Sequence, residues 1–206
     1  GGITPGRRLQ AFRQYVSLAE SEQAAAQLYQ IWEKRELEGK PLSERDEINL
    51  SYQLAIRLPE KADEIVNEQL KRISNPDRQA EYRFISPSVS PRKEVRDSVF
   101  EALLVADNRR IEPWASTALS LLNHRLREAE SVEYIRPALE ILEEVQRTGD
   151  IFFPTAWLRA LLGGHSSVQA RDEVEAFYAE YPDFPEMLLN KIRQQADHLY
   201  RLHAGE

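Results

Sequence analysis

Thr148 to Gly164 reads TGDIFFPTAWLRALLGG. Gly149 stops one helical pattern, Ile151-Phe152-Phe153 makes a short apolar run, and Pro154 opens a new helix that ends at Gly163-Gly164. Proline suits the first helical position, because its missing N–H would have had no partner there, and glycine suits the other end. The stretch therefore predicts a structural joint between two helices, with Phe152, Phe153 and Trp157 as packing residues. The same punctuation recurs. Pro5, Pro59, Pro76, Pro91, Pro113, Pro137 and Pro185 each stand before or at the start of a helical pattern, and Thr4, Asn75 and Ser90 supply capping residues ahead of three of them. No glycine lies between Gly39 and Gly149, whereas a β-hairpin protein of this length needs several.

Apolar residues recur at helical spacing throughout. Leu9, Phe12 and Val16 share one face; Ala24, Leu28, Ile31 and Trp32 share another, and Gly39-Lys40-Pro41 ends that helix. Ser43 and Asp46 form a capping-box-like start for a stripe of Ile48, Tyr52 and Ile56. Val95, Val99, Leu103 and Ala106, with Phe100 and Leu104 beside them, make a stripe wide enough to predict a central helix. Pro137 predicts a split or sharp kink near Arg136. The expected fold is all-α: antiparallel helix hairpins stacked as an irregular HEAT-like α–α superhelical array of about ten or eleven helices. It is read as a single helical domain over 1–206, with the turn-rich Ser86 to Pro91 as its weakest point.

The chain has 206 residues, 42% apolar and 30% charged, which is the composition of a globular domain. A net charge of -7 argues against a general nucleic-acid binder, whose phosphate contacts need clustered Lys and Arg. There are no cysteines, so disulfides and thiolate metal sites are excluded. No run approaches the length of a membrane span. Gly1-Gly2 reads as an expression scar and Ile3 as an abrupt start, which points to a piece of a longer polypeptide whose targeting signal would lie upstream.

No complete active site is spelled out. The histidines are His124, His165, His198 and His203, and none sits in an H-E-x-x-H, the spacing that aims two imidazoles at one zinc. His198 and His203 are five apart, on different helix faces, and the histidines read as solvated residues. Gly163-Gly164 reads as a helix C-terminal cap, with anion binding by its N–H groups as the alternative. Glu140, Glu143 and Glu144 read as solvated surface. Arg109 and Arg110 lie at a helix junction, where arginines can hold a carboxylate bidentately; the alternative is capping of helix carbonyls or pairing with Glu112. Trp114 and Trp157 read as core anchors.

Four stretches taken in order, NPDR (Asn75 to Arg78), FISPSVSP (Phe84 to Pro91), NRRIEPW (Asn108 to Trp114) and TGDIFFPTAW (Thr148 to Trp157), resemble the C-terminal helical domain of gluzincin zinc aminopeptidases of the alanyl/leucyl type, especially the bacterial branch. The resemblance spans about Leu9 to Leu202. It implies a parent metallopeptidase that removes residues singly from peptide N-termini. One zinc would sit in an upstream catalytic domain of the same polypeptide, which carries H-E-x-x-H and G-x-M-E-N. This chain contains neither motif, so no catalytic or metal-binding residue is expected in it. The resemblance further implies that the helical domain covers the peptide chamber and limits access. Arg109 and Arg110 are the candidates to contact a substrate's C-terminal carboxylate, on the chemistry of arginine rather than on a family match. A bacterial enzyme of this kind works in the cytoplasm or the periplasm. The competing expectation is a stand-alone helical-repeat scaffold that binds a protein or peptide partner.

Overall fold

The computed structural model describes residues 2 and 4–204; Gly1 and Ile3, on which the scar and the abrupt start rest, lie outside the described residues. Among the described residues the fold is all-α apart from one tiny hairpin, and the chain divides into two compact units, one ending at Pro91 and the other beginning at Arg92. The division falls at the end of the turn-rich segment Ser86 to Pro91.

The first unit contains α1 (Pro5–Leu18), α2 (Glu22–Lys34), β1 (Glu36–Leu37), β2 (Lys40–Pro41), α3 (Glu44–Arg57), α4 (Ala62–Arg72) and α5 (Pro76–Ile85). The capping residues work as their chemistry demands: side chains of Thr4, Ser21, Ser43 and Asn75 each accept a backbone N–H from the first turn of α1, α2, α3 and α5. Asp46 does more than complete a capping box. It accepts from the Ser43 hydroxyl at 2.7 Å and holds the Arg13 guanidinium of α1 at 3.0 and 3.2 Å. Arg35 at the end of α2 grips Glu47 at the start of α3, while Arg57 at the end of α3 donates to the Ala19 carbonyl ahead of α2, so the two helices are antiparallel. Leu28, Trp32, Leu50, Leu54 and Ile65 fill the core between α2, α3 and α4, and Phe12 and Val16 close it from α1. The buried Trp32 indole donates to Gln69 at 2.7 Å, and Arg72 lies over its ring.

One feature of this unit escaped the sequence. Glu36–Leu37 pairs antiparallel with Lys40–Pro41 across a two-residue loop whose members, Glu38 and Gly39, both have positive φ (51° and 76°). That is the backbone of a type I′ turn, which normally asks for Asn or Asp where this chain has Glu. Without that signal, and with strands of two residues, no alternation was there to read.

The second unit contains α6 (Lys93–Leu103), α7 (Glu112–Leu122), α8 (Glu128–Ser131), α9 (Ile135–Glu140), α10 (Leu142–Thr148), α11 (Phe153–Leu162), α12 (Val168–Glu180) and α13 (Glu186–Leu202). The centre is α11, with Phe153, Pro154, Trp157, Leu158, Ala160, Leu161 and Leu162 all buried. A helix that is apolar nearly all round belongs inside. The wide stripe on α6 predicted that place for α6 instead, but Val95, Val99 and Leu104 are only half-covered and α6 lies at the flank. The α7 helix runs alongside α11 in the same direction: Glu112 at the start of α7 accepts from Asp150 just before α11, and Asn123 after α7 bonds His165 after α11. The α13 helix does the same on the other side, through Lys191 to Thr155 and His198 to His165. As alternate members of an antiparallel series these three helices make one layer, and α9 and α12 pack together in the other. Within this unit the two-layer α–α array is therefore present.

The break expected near Arg136 falls on either side of it. A 3₁₀ turn over Val132–Tyr134 precedes α9, and Ile141 separates α9 from α10. Pro137 sits in the first turn of α9, where the backbone N–H it lacks is not needed. This cutting of Glu128–Thr148 into three short helices is why more helices form than the periodicity predicts.

Candidate functional site

The joint between α10 and α11 is built by two carboxylates. Asp150 Oδ1 accepts the N–H groups of Phe152 (2.7 Å) and Phe153 (3.0 Å), and the Asp150 carbonyl also accepts from Phe153, so donors at the start of α11 are satisfied. Glu112 Oε1 accepts the Asp150 N–H at 2.9 Å and so ties the start of α7 to the joint. Gly149 is required by proximity rather than by its φ of -108°: a Cβ there would lie 2.6 Å from a Phe153 ring carbon. NRRIEPW and TGDIFFPTAW, far apart in sequence, meet here.

The apolar run splits at this joint. Phe153 is 3% exposed and sets its ring edge-on to Trp157, which is fully buried and donates through Nε1 to the Ala138 carbonyl at 3.1 Å. Ile151 and Phe152, 79% and 73% exposed, stand in solvent. The expectation that Phe152 packs inside is thus corrected. Asp150 fixes the backbone so that Phe153 faces in, and its predecessor, one helical step of about 100° away, faces out. Trp114 is half-buried rather than a core anchor.

The two junction arginines part company. Arg109 is buried: its guanidinium donates to the Leu103 carbonyl at the end of α6 and to Glu144, and lies 5.6 Å from the Trp157 ring centroid. It caps carbonyls and pairs with a carboxylate, as the alternative reading held, but the carboxylate is Glu144 and not Glu112. Glu144, read as plain surface, is therefore a structural partner. Arg110 is exposed and donates to the equally exposed Asp107 at 2.9 Å. A bidentate pair of arginines is not formed.

A second polar cluster sits where α11 passes to α12, and sequence reasoning missed it. His165 is 2% exposed. Asn123 Nδ2 donates to the Leu119 carbonyl, which leaves its Oδ1 to accept from His165 Nε2 at 2.8 Å. Glu128 Oε1 accepts the N–H groups of Ser166 and Ser167, both at 2.6 Å, at the start of α12. His198 Nε2 donates to the His165 carbonyl and His203 Nε2 to the Ser166 carbonyl. Gly164 is dictated by the same crowding, since a Cβ would come within 1.9 Å of the Asn123 carbonyl oxygen. Burial pushes the His165 imidazole down to about 4. Burial alone would raise Glu128, but the Ser166 and Ser167 N–H groups outweigh it and hold the carboxylate below its ordinary range. The solvated reading of the histidines is corrected for His165, and His198 and His203 both reach the same backbone segment despite their spacing. A Gly-Gly-His between two helices was the visible hint; its partners at positions 123, 128 and 198 are too distant in sequence to be inferred.

Other chemistry is sparse. Among the described residues no group of three or more His, Asp or Glu side chains is placed to hold a metal ion, and no helix is long and apolar enough to cross a membrane. The first unit has a cleft of about 300 Å³ between α1 and the hairpin, floored by Leu9, Leu37 and Leu42, with Arg8 and Glu38 paired across it. No family model, curated protein or solved structure matches the chain.

Proposed function

We propose that this chain is the C-terminal helical domain of a gluzincin-type zinc aminopeptidase. In this reading it covers the peptide chamber and limits access, while the zinc and the catalytic residues belong to an upstream domain of the same polypeptide. The reading starts from the four ordered stretches. The observation that carries it furthest is the pair Ile151 and Phe152: two large apolar side chains held in solvent by a rigid, doubly capped joint inside one of those stretches. Scattered apolar residues on a surface need no explanation, but two adjacent ones on a braced backbone suit a surface that another domain covers. The covering partner is the upstream catalytic domain. Among the two arginines, Arg110 has the exposed guanidinium that a substrate carboxylate requires.

The experiment compares Ile151→Ser/Phe152→Ser in the isolated chain and in the whole gene product. In the isolated chain the double variant leaves the melting curve nearly unchanged, because both side chains are already wet. In the whole enzyme it loosens the packing of the two domains, seen as a lower melting temperature and faster proteolysis between them. Equal behaviour of variant and parent in the whole enzyme would remove the docking role from this joint.

A further inference from the structure

We propose that the α11–α12 joint is an acid-released clasp, in which protonation of the buried His165 frees the start of α12 from Glu128. The argument is geometric. With Nε2–H committed to Asn123, the neutral His165 ring turns Nδ1 inward as a bare lone pair, and no hydrogen-bond donor reaches it. The nearest carboxylate oxygen, Glu128 Oε1, is 3.7 Å away and already accepts the Ser166 and Ser167 N–H groups. A proton added at Nδ1 has two outcomes. It stays buried without an acceptor, or it draws Glu128 Oε1 toward itself and off the two amides. The first is costly, so the proton draws Glu128 across, and this unfastens the first turn of α12, which is also held by the Ser166 hydroxyl on Glu128 Oε2, the Ser167 cap on Ala170, His198 of α13 and His203 just after it.

The groups that bear on the imidazole come from every side of it. Glu128 of α8 favours its charged form, and His198 of α13 opposes it once protonated. Asn123 from the end of α7 and Ser167 from the start of α12 are uncharged. The release is a local opening that precedes global unfolding.

The test is amide exchange by NMR on the full chain, at about pH 7 and about pH 5, corrected for intrinsic rates. The expected result is a loss of protection of about tenfold or more at Ser166 and Ser167 in acid, with the amides of Leu158 to Leu162 unchanged. His165→Gln keeps an N–H donor for Asn123 but cannot take the proton, so its protection stays level across this range. Should that variant fail to fold, Asn123→Asp serves instead. A carboxylate against Nε2 favours the imidazolium, so the loss of protection moves upward by about one pH unit or more. A wild-type profile that stays level, or one that His165→Gln reproduces, overturns the proposal, as does an unmoved midpoint in Asn123→Asp.

Discussion

Phe152 and Phe153 are neighbours of one residue type with opposite fates, and the difference lies in a single carboxylate. Asp150 sets the direction of the chain, so that Phe153 enters the core against Trp157 and Phe152 does not. The sequence shows an apolar triplet but no phase, because a run of three adjacent residues covers most of a helical turn. Trp157, by contrast, was legible: it sits near the start of a proline-opened helix, with Leu158, Leu161 and Leu162 following it. Trp157→Ala removes a fully buried indole, its bond to the Ala138 carbonyl and the ring beneath Arg109. It is expected to cost about 3–5 kcal/mol in denaturant unfolding, against less than about 0.5 kcal/mol for Phe152→Ala in the same isolated chain. Similar losses for the two would contradict the split.

At the scale of elements, what the sequence told was punctuation. The span of α11, Phe153–Leu162, starts one residue before the Pro154 marker and ends just before Gly163, and the Asn75-Pro76 start of α5 is where the pattern put it. What it did not tell was rank. Stripe width favoured α6, while the central place went to α11, because burial depends on which helices flank an element and not on its own periodicity alone. The α11–α12 joint was illegible for a related reason, since its partners come from three other helices. Its chemistry nonetheless gives a pH dependence with a definite sign. The folded His165 titrates near 4, below its ordinary 6.5. The unfolded chain therefore binds more protons across that window, so stability is full above about 6.5 and declines as pH falls toward 4. The loss amounts to about 3 kcal/mol at most. Asp46, Asp97 and Glu128, all held below their usual range, add their own losses only at lower pH, below the ordinary carboxylate values. Urea midpoints measured between about pH 7 and pH 5 should fall for the wild type and stay level for His165→Gln. A parallel fall in both would assign the acid sensitivity elsewhere.

For the whole molecule, composition and periodicity sufficed for an all-α chain and for the weak point at Ser86 to Pro91, where one compact unit ends. They did not suffice for a function, because the sequence spells out no complete active site. Arg110 is the one arginine of the junction pair free of the interior. Under the proposed function, Arg110→Ala in the complete enzyme raises KM for free-acid peptides by about tenfold, the worth of one charge-assisted contact, and leaves amidated peptides unaffected. Equal effects on both would retire the role. The isolated chain should release no N-terminal residue from alanyl or leucyl substrates, with or without zinc, and measurable turnover would put chemistry in this chain that its side chains do not explain.

The most direct test of the assignment is to read the gene upstream of Ile3. A C-terminal aminopeptidase domain requires a preceding coding region that carries H-E-x-x-H, a distant glutamate as third zinc ligand, and G-x-M-E-N. A coding region that begins near Ile3, or an upstream region without those motifs, would contradict it and leave a free-standing helical scaffold.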